Sequence, residues 1–233
     1  MQIKNLYQGY ILNRKENRPK IILKLAITKD GYITFEKGKR TKITNLISDK
    51  YSDILRSEVD AILVGANTVR TDNCILKCKM TGLINKSPIR IVLNRKLDLS
   101  TNSKIFENCK EFRTILFTSN SRKNLIKNYE KKGVEVIYLE KEFYTLKNIL
   151  KKLSYLGISN LLVEGGGKIF NSFFKENFFD YIYIFRSNFF SGIKEKKFSE
   201  AKIDVSNFGL KKSYVKKFGD NLLEIYKNKK YES

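Results

Sequence analysis

The chain has 233 residues, is 42% hydrophobic, and carries 46 Lys+Arg against 24 Asp+Glu, a net charge of +22, with no histidine. That length suits one large domain or two small ones with a substantial buried core. Without imidazole, Ser-His-Asp and Cys-His nucleophiles are excluded, and any proton transfer falls to Asp, Glu, Lys, Tyr or water.

Residues 1–19 read as a linker-like segment, polar around Leu6, Tyr7, Tyr10 and Ile11. Pro19 then introduces a strand, Lys20 to Thr28, closed by the turn signal Asp30-Gly31. After a basic loop, Lys37 to Lys42, the sequence Ile43-Thr44-Asn45 caps a helix that runs to about Ser57. Asp60 to Gly65 is a short buried strand, followed by a loop at Ala66-Asn67-Thr68. Strands are expected at Ile89 to Asn94, Thr114 to Thr118 and Val134 to Leu139, with helices at Arg122 to Lys132 and Leu146 to Leu156.

Next comes Asn160-Leu161-Leu162-Val163-Glu164, three glycines, and a helical pattern with Ile169, Phe170, Phe173 and Phe174 on one face. Strand, glycine turn and helix follow directly on each other. Glycine permits φ > 0 and close approach of a ligand. The first N–H groups of a helix suit a phosphate or pyrophosphate. A bare βα turn would read the same way, because neither G-x-G-x-x-G nor Gly-Lys-Ser/Thr is present. Strands at Tyr181 to Phe185, Tyr214 to Phe218 and Leu222 to Tyr226 close the chain. Alternating strands and helices predict an α/β fold from residue 20 on. Its central sheet is largely parallel, with helices on both faces and antiparallel strands at the C-terminal edge.

No run approaches 18 uncharged apolar residues, so no membrane span is expected. No secretory leader is apparent at the N-terminus. Cys74, Cys78 and Cys109 are an odd number without a second Cys pair, so neither disulfides nor zinc is expected, and the chain reads as cytoplasmic. The positive charge would draw an acidic partner. A basic, non-catalytic nucleic-acid-binding protein is the reading from another class, but the lysines are spread along the chain and no binding motif accompanies them. The densest clusters, Lys194 to Lys197 and Lys227 to Lys230, read as solvated surface.

Four motifs in order carry a resemblance: Lys24 to Gly31, Asp60 to Asp72, Pro88 to Leu93, and Val163-Glu164-Gly165-Gly166-Gly167. The chain resembles the reductase domain of the bifunctional riboflavin-biosynthesis deaminase/reductase over about residues 9–227. The resemblance implies a dihydrofolate-reductase-like fold. It also implies NADPH-dependent reduction of the ribose of 5-amino-6-(5-phosphoribosylamino)uracil, by hydride transfer to C1′ of a ring-opened, imine-like ribosylamine. The nearest alternative is the relative that reduces the 2,5-diamino-6-ribosylamino-pyrimidinone 5′-phosphate. A homodimer is implied as well. The deaminase zinc signature needs His, so the deaminase is either a separate protein or lies outside this sequence.

Carried over position by position, the resemblance places cofactor contacts at Ala26, Thr68, Asp72 and Gly166, Gly167, Lys168, Ile169, Phe170, Asn171 and Ser172. It places substrate contacts at Arg56, Leu76, Lys79 and Glu164. Lys24, Asp30 and Glu164 are candidates for proton transfer, with no spacing to decide between them. Arg95, with Lys96, is expected to grip the 2′-phosphate of NADPH. For Arg56, an ion pair with Asp53 or Asp60 on the helix surface is the plainer reading. This chain departs from the family pattern at Arg40, Lys42, Asn73 and Lys79.

Overall fold

The computed structural model describes residues 2–33, 42–193 and 210–229. Arg40 and the clusters at 37–41 and 194–197 lie outside the described residues, as does Lys230. The chain forms two compact units, each assembled from separated stretches: 1–21 with 53–163, and 22–52 with 164–233.

The first unit holds α1 (Gln2–Glu16), the end of α2 (Leu46–Ser57) from Asp53 on, β2 (Ala61–Gly65), α3 (Ala66–Asp72), β3 (Ile89–Leu93), β4 (Thr114–Thr118), α4 (Lys123–Glu130), β5 (Glu135–Tyr138), α5 (Leu146–Tyr155) and most of β6 (Asn160–Glu164). Its strands lie in the order β5-β4-β3-β2-β6, every pairing parallel. Parallel strands covered on both faces read as continuous apolar runs. Accordingly, Ile62, Leu63, Val64, Ile91, Val92, Ile115, Leu116, Phe117, Leu161, Leu162 and Val163 are completely buried. Thr145 caps α5, its hydroxyl accepting from Asn148 N–H at 3.3 Å.

The second unit holds most of β1 (Lys20–Ile27), the start of α2, α6 (Gly167–Lys175), β7 (Tyr181–Arg186), β8 (Leu210–Phe218) and β9 (Asn221–Asn228). Its strand order is β1-β7-β9-β8, with β1 and β7 parallel and β7-β9 and β9-β8 antiparallel. Asn45 caps α2 as expected, its Oδ1 accepting from Ser48 N–H at 2.9 Å. Tyr51 then packs among Phe185 and Phe218, with ring centroids 6.1 and 4.9 Å away. The largely parallel α/β pairing and the antiparallel C-terminal strands agree with the sequence reading.

Three segments correct or add to the sequence reading. The segment 1–19, read as linker-like, is helical over Gln2–Glu16. Leu12 is buried, and Asn13 Nδ2 donates to Ile158 O at 3.2 Å. Gly9 allows the helix backbone to approach closely: a Cβ there would lie 2.6 Å from Ser159 O and 2.7 Å from Asn160 Oδ1. The loop expected at Ala66-Asn67-Thr68 is the first turn of α3, held down by fully buried Val69. Third, none of Gly165, Gly166 and Gly167 is left-handed, and Gly166 has extended φ −80°, ψ 172°. The glycine run therefore contributes the absence of side chains at the start of α6, with no reversal of backbone hand.

Candidate active site

Three groups of predicted residues assemble within the first unit. The first is on α3, where Thr68 and Asp72 are one turn apart on one face. Asp72 Oδ1 accepts from Thr71 Oγ1 at 3.0 Å. Asn73, where the family pattern differs, ends α3 in the left-handed conformation (φ 41°), which Asn tolerates as a helix cap. Its Oδ1 accepts from Lys104 N–H at 2.9 Å.

The second group joins Arg56, Leu76 and Lys79. Arg56 Nη1 donates to Asp53 Oδ1 at 3.0 Å, an i,i+3 pair whose side chains are only 15% and 11% exposed. Lys77 O accepts from the same Nη1 at 3.5 Å, and Asp53 Oδ2 accepts from Lys79 N–H at 3.1 Å. The ion pair with Asp53 is thus present, but it is largely buried and bound to the loop that carries Leu76 and Lys79. Leu76 is buried with φ 57°, a left-handed backbone that costs a branched side chain about 1–2 kcal/mol. Such strain persists only where the surroundings over-determine it.

The third group surrounds Arg95, at the carboxyl end of β3. Its guanidinium stacks 5.4 Å from the Tyr144 ring centroid and donates to Lys141 O at 3.2 Å. Tyr144 is anchored in turn by its hydroxyl, which donates to Phe117 O at 3.1 Å. Burial pushes the Tyr144 phenol well above its ordinary pKa, with Arg95 pulling the other way, so the hydroxyl stays protonated as a donor. The loops after β3 and β4 are tied together: Ser119 N–H donates to Arg95 O at 3.1 Å and Asn120 Nδ2 to Lys96 O at 2.9 Å. Between them opens a basin of about 590 Å³, lined by Arg95, Lys96, Ser119, Asn120, Arg122 and Lys141 among others. Four cations and two amide or hydroxyl side chains fit a phosphate monoester. Sequence reasoning named Arg95 and Lys96 of this lining. It did not name Ser119 to Arg122 or Lys141, although the end of a neighbouring parallel strand was a signal for the former.

In the second unit, Ala26 is half-buried near the end of β1, and Lys24 Nζ sits 5.4 Å over the Phe185 ring. Asp30 is built into a turn. Its Oδ1 accepts from Thr28 Oγ1 at 2.5 Å and Ser191 N–H at 3.0 Å, and its Oδ2 from Ser191 Oγ at 2.5 Å. Burial alone would raise this carboxyl, but the Ser191 and Thr28 donors outweigh it and hold the pKa at about 2. Glu164 ends β6 and is half-buried. The helix α6 then begins at Gly167 and buries Phe170, Phe173 and Phe174, while Lys168, Asn171 and Ser172 are exposed and Ile169 is half-exposed. Lys42, another departure from the family pattern, pairs with Asp49 at 3.7 Å on the surface. Among the described residues no group of three or more His, Cys, Asp or Glu is placed to hold a metal, and no helix is long and apolar enough to cross a membrane.

The Asp30 cluster gives a test with a defined pH window. A carboxyl whose folded pKa lies below its unfolded value adds stability above about pH 4, and loses it as pH falls towards 2. Ser191→Ala is therefore expected to cost about 1.5–3 kcal/mol at pH 7, the range for hydrogen bonds to a charged group. In thermal melts the difference from the parent should shrink between pH 4 and pH 2, and a constant difference across that range would show that the bonds to the ionised carboxyl are not its source.

The family model described as "RibD C-terminal domain" matches residues 19–223. The riboflavin biosynthesis protein RibD of Aquifex aeolicus is 39% identical over 184 residues, covering 79% of this chain and 50% of that protein. The 2,5-diamino-6-ribosylamino-4(3H)-pyrimidinone 5′-phosphate reductase of the same organism is 32% identical over 157 residues, 65% of this chain and 69% of that one. Among solved structures, the Thermotoga maritima diaminohydroxyphosphoribosylaminopyrimidine deaminase/5-amino-6-(5-phosphoribosylamino)uracil reductase superposes with a TM-score of 0.80 at 29% identity, covering 97% of this chain and 61% of that one. The chain spans about half the length of the RibD relative from Aquifex. The match over residues 19–223, with the superposition on the Thermotoga maritima structure, shows that this chain belongs to the RibD C-terminal domain family.

Proposed function

We propose that this chain is an NADPH-dependent reductase that converts the ribosyl group of a ribosylamino-pyrimidine phosphate to the ribityl chain in riboflavin biosynthesis. The preferred substrate is 5-amino-6-(5-phosphoribosylamino)uracil. The 2,5-diamino-pyrimidinone phosphate, the substrate class named for the Aquifex reductase, is the alternative for the same reaction. The observation that carries the reading is the cationic basin at the ends of β3 and β4, whose charge suits the 2′-phosphate that distinguishes NADPH from NADH.

When bound, the dinucleotide would supply the hydride for C1′. The protein binds, orients and excludes water. Arg95 and Lys96 take the 2′-phosphate. Within Gly166 to Ser172, the N–H groups of Gly167 and Lys168 at the start of α6 are offered to the pyrophosphate, ahead of the intrahelical bonds that begin at Ile169 and Phe170, with Ala26, Thr68 and Asp72 as further cofactor contacts. Arg56 and Lys79 take the phosphate of the substrate beside Leu76, and Glu164 accepts from pyrimidine N–H groups. For the proton delivered to the departing ring oxygen we assign Lys24. Asp30, with a pKa of about 2, holds no proton at neutral pH. The catalytic domain is taken to start at residue 20. A separate deaminase supplies the substrate unless it lies in a longer form of this chain. We place the enzyme in the cytoplasm, in keeping with three free cysteines. It is expected to dimerise through β8, an edge strand with almost all residues exposed, including Tyr214 and Val215.

The reading is tested by following NADPH oxidation at the nicotinamide band with each pyrimidine in turn. Oxidation dependent on one of them is expected; no turnover with either, together with no cofactor binding, would sink it. Arg95→Ser is expected to weaken NADPH binding about 10–100-fold while leaving NADH binding nearly unchanged, because a charge-assisted fork to the phosphate is lost. Unaltered NADPH preference in that variant would remove Arg95 from the site.

A further inference from the structure

Asp53 lies beside Arg56 on the last turns of α2 and is 7% exposed. Its two carboxylate oxygens have different partners. Oδ1 holds the Arg56 guanidinium at 3.0 Å, and Oδ2 holds the main-chain N–H of Lys79 at 3.1 Å. The Asp53 carbonyl accepts a third contact, from Cys78 Sγ at 3.5 Å. Arg56 adds a bond to Lys77 O at 3.5 Å. One residue therefore joins the arginine and the 77–79 loop, the two elements to which a substrate phosphate is assigned.

A helix-surface ion pair leaves its second oxygen to water. Here that oxygen is committed to a loop twenty-six residues away in sequence, and both side chains are largely out of solvent. A carboxylate so close to a phosphate-binding arginine works against phosphate attraction, since like charges repel and the guanidinium charge is partly neutralised. Retaining it requires a gain elsewhere. Two gains are visible: the guanidinium fork is held in one orientation, and the loop is fixed against it before the ligand arrives. Preorganisation of this kind raises affinity by removing ordering costs from the binding step.

Resting on the reductase reading above, we infer that Asp53 is a positioning residue for recognition of the substrate phosphate. It orients Arg56 and fixes Lys79, at some expense in raw electrostatic attraction. It does not touch the reacting atoms.

The test compares the parent, Asp53→Asn and Asp53→Glu in steady-state NADPH oxidation, using the pyrimidine phosphate and the same compound without its phosphate. Asn keeps an acceptor for Arg56 but presents an amide donor where Lys79 N–H needs an acceptor. Its KM for the phosphorylated substrate is expected to rise about 10-fold, in line with the loss of one charge-assisted bond. The kcat and the KM for NADPH should stay within about 2-fold, with the preference for the phosphorylated compound narrowed. Asp53→Glu keeps the charge on a longer arm and should show a smaller rise in the same direction. It carries the test should Asp53→Asn fail to fold by circular dichroism. A KM that falls, as loss of the like charge alone would produce, overturns the proposal, as does an unchanged phosphate preference in both variants. A parent with no preference for the phosphorylated compound also overturns it. A parent that oxidises NADPH with neither pyrimidine overturns the reductase reading instead, and this inference with it.

Discussion

Arg56→Ala is expected to lower kcat/KM for the pyrimidine phosphate by about 10²–10³-fold, mainly through KM, and to destabilise the first unit by about 3 kcal/mol. Both effects have the same origin. Truncating one partner of a buried, hydrogen-bonded charge pair costs roughly 2–5 kcal/mol, much of it from the charge left behind. Here the residue left behind is Asp53, whose side chain is 11% exposed and whose carboxylate would keep the Lys79 N–H. The phosphate would also face that carboxylate without its arginine, so binding should suffer more than the lost bond alone implies. Arg56→Lys separates the contributions. It preserves the charge but not the planar fork, so it should recover most of the stability and only part of the affinity. Steady-state kinetics with thermal melts on the same samples would check this. Full activity in Arg56→Ala would make the Asp53–Arg56 pair purely structural.

Arg90→Ala is expected to destabilise the first unit by about 3–5 kcal/mol. Arg90 lies on β3 and is 1% exposed. Its partners are main-chain carbonyls and one thiol: Nη2 donates to Phe112 O at 2.8 Å, Glu107 O at 3.2 Å and Cys109 Sγ at 3.6 Å, and Nη1 to Ile75 O at 3.4 Å. The guanidinium also stacks 5.7 Å from the Phe112 ring centroid, while Nε is buried without a partner. Burial pushes the Arg90 pKa down, opposed by Cys109, Cys74 and Glu111, but an arginine starts high enough to remain charged. Alanine would open a cavity and leave three carbonyls dry. Arg90→Met fills most of the volume without restoring the bonds, so its difference from the parent reports the net of the lost hydrogen bonds and the relieved desolvation of the charge. Chemical denaturation of the three proteins gives both numbers. The effect should reach the site, because Ile75 precedes strained Leu76 in the loop that carries Lys79. A higher KM for the pyrimidine phosphate is expected in whichever variant folds. If Arg90→Ala were as stable as the parent, the carbonyl network would not be holding these loops.

Much of the arrangement was legible because it rests on local periodicity. The strand Thr114–Thr118 needed only an apolar run between turn signals, and α5 needed only its 3.6-residue apolar face. Asn45 as a cap and the antiparallel closing strands follow from equally short-range chemistry. The failures share a cause too. Helix α1 has a weak apolar face, and its position depends on Gly9 passing close to Ser159 and Asn160, about 150 residues away in sequence. Helix α3 is held by Val69 against a core that the heptapeptide alone does not reveal. The two units are invisible to composition because each is built from separated stretches, and the divisions fall within β1, α2 and β6, where no linker marks them.

By itself, then, the sequence determined which residue types were available for chemistry and which motifs follow one another: no imidazole, a basic chain, a carboxylate and three glycines at a strand end, an arginine before the Asp60 strand. Those are matters of composition, spacing and order. Only the tertiary structure decided that Arg56 is bound through Asp53 to the Lys79 loop, and that Arg95 shares a basin with Arg122 and Lys141. It also decided that Asp30 is an ionised turn carboxylate with no proton to give. A side chain's charge and reach are written in its own identity, whereas its pKa, its orientation and its partners depend on desolvation and on donors brought in from distant parts of the chain.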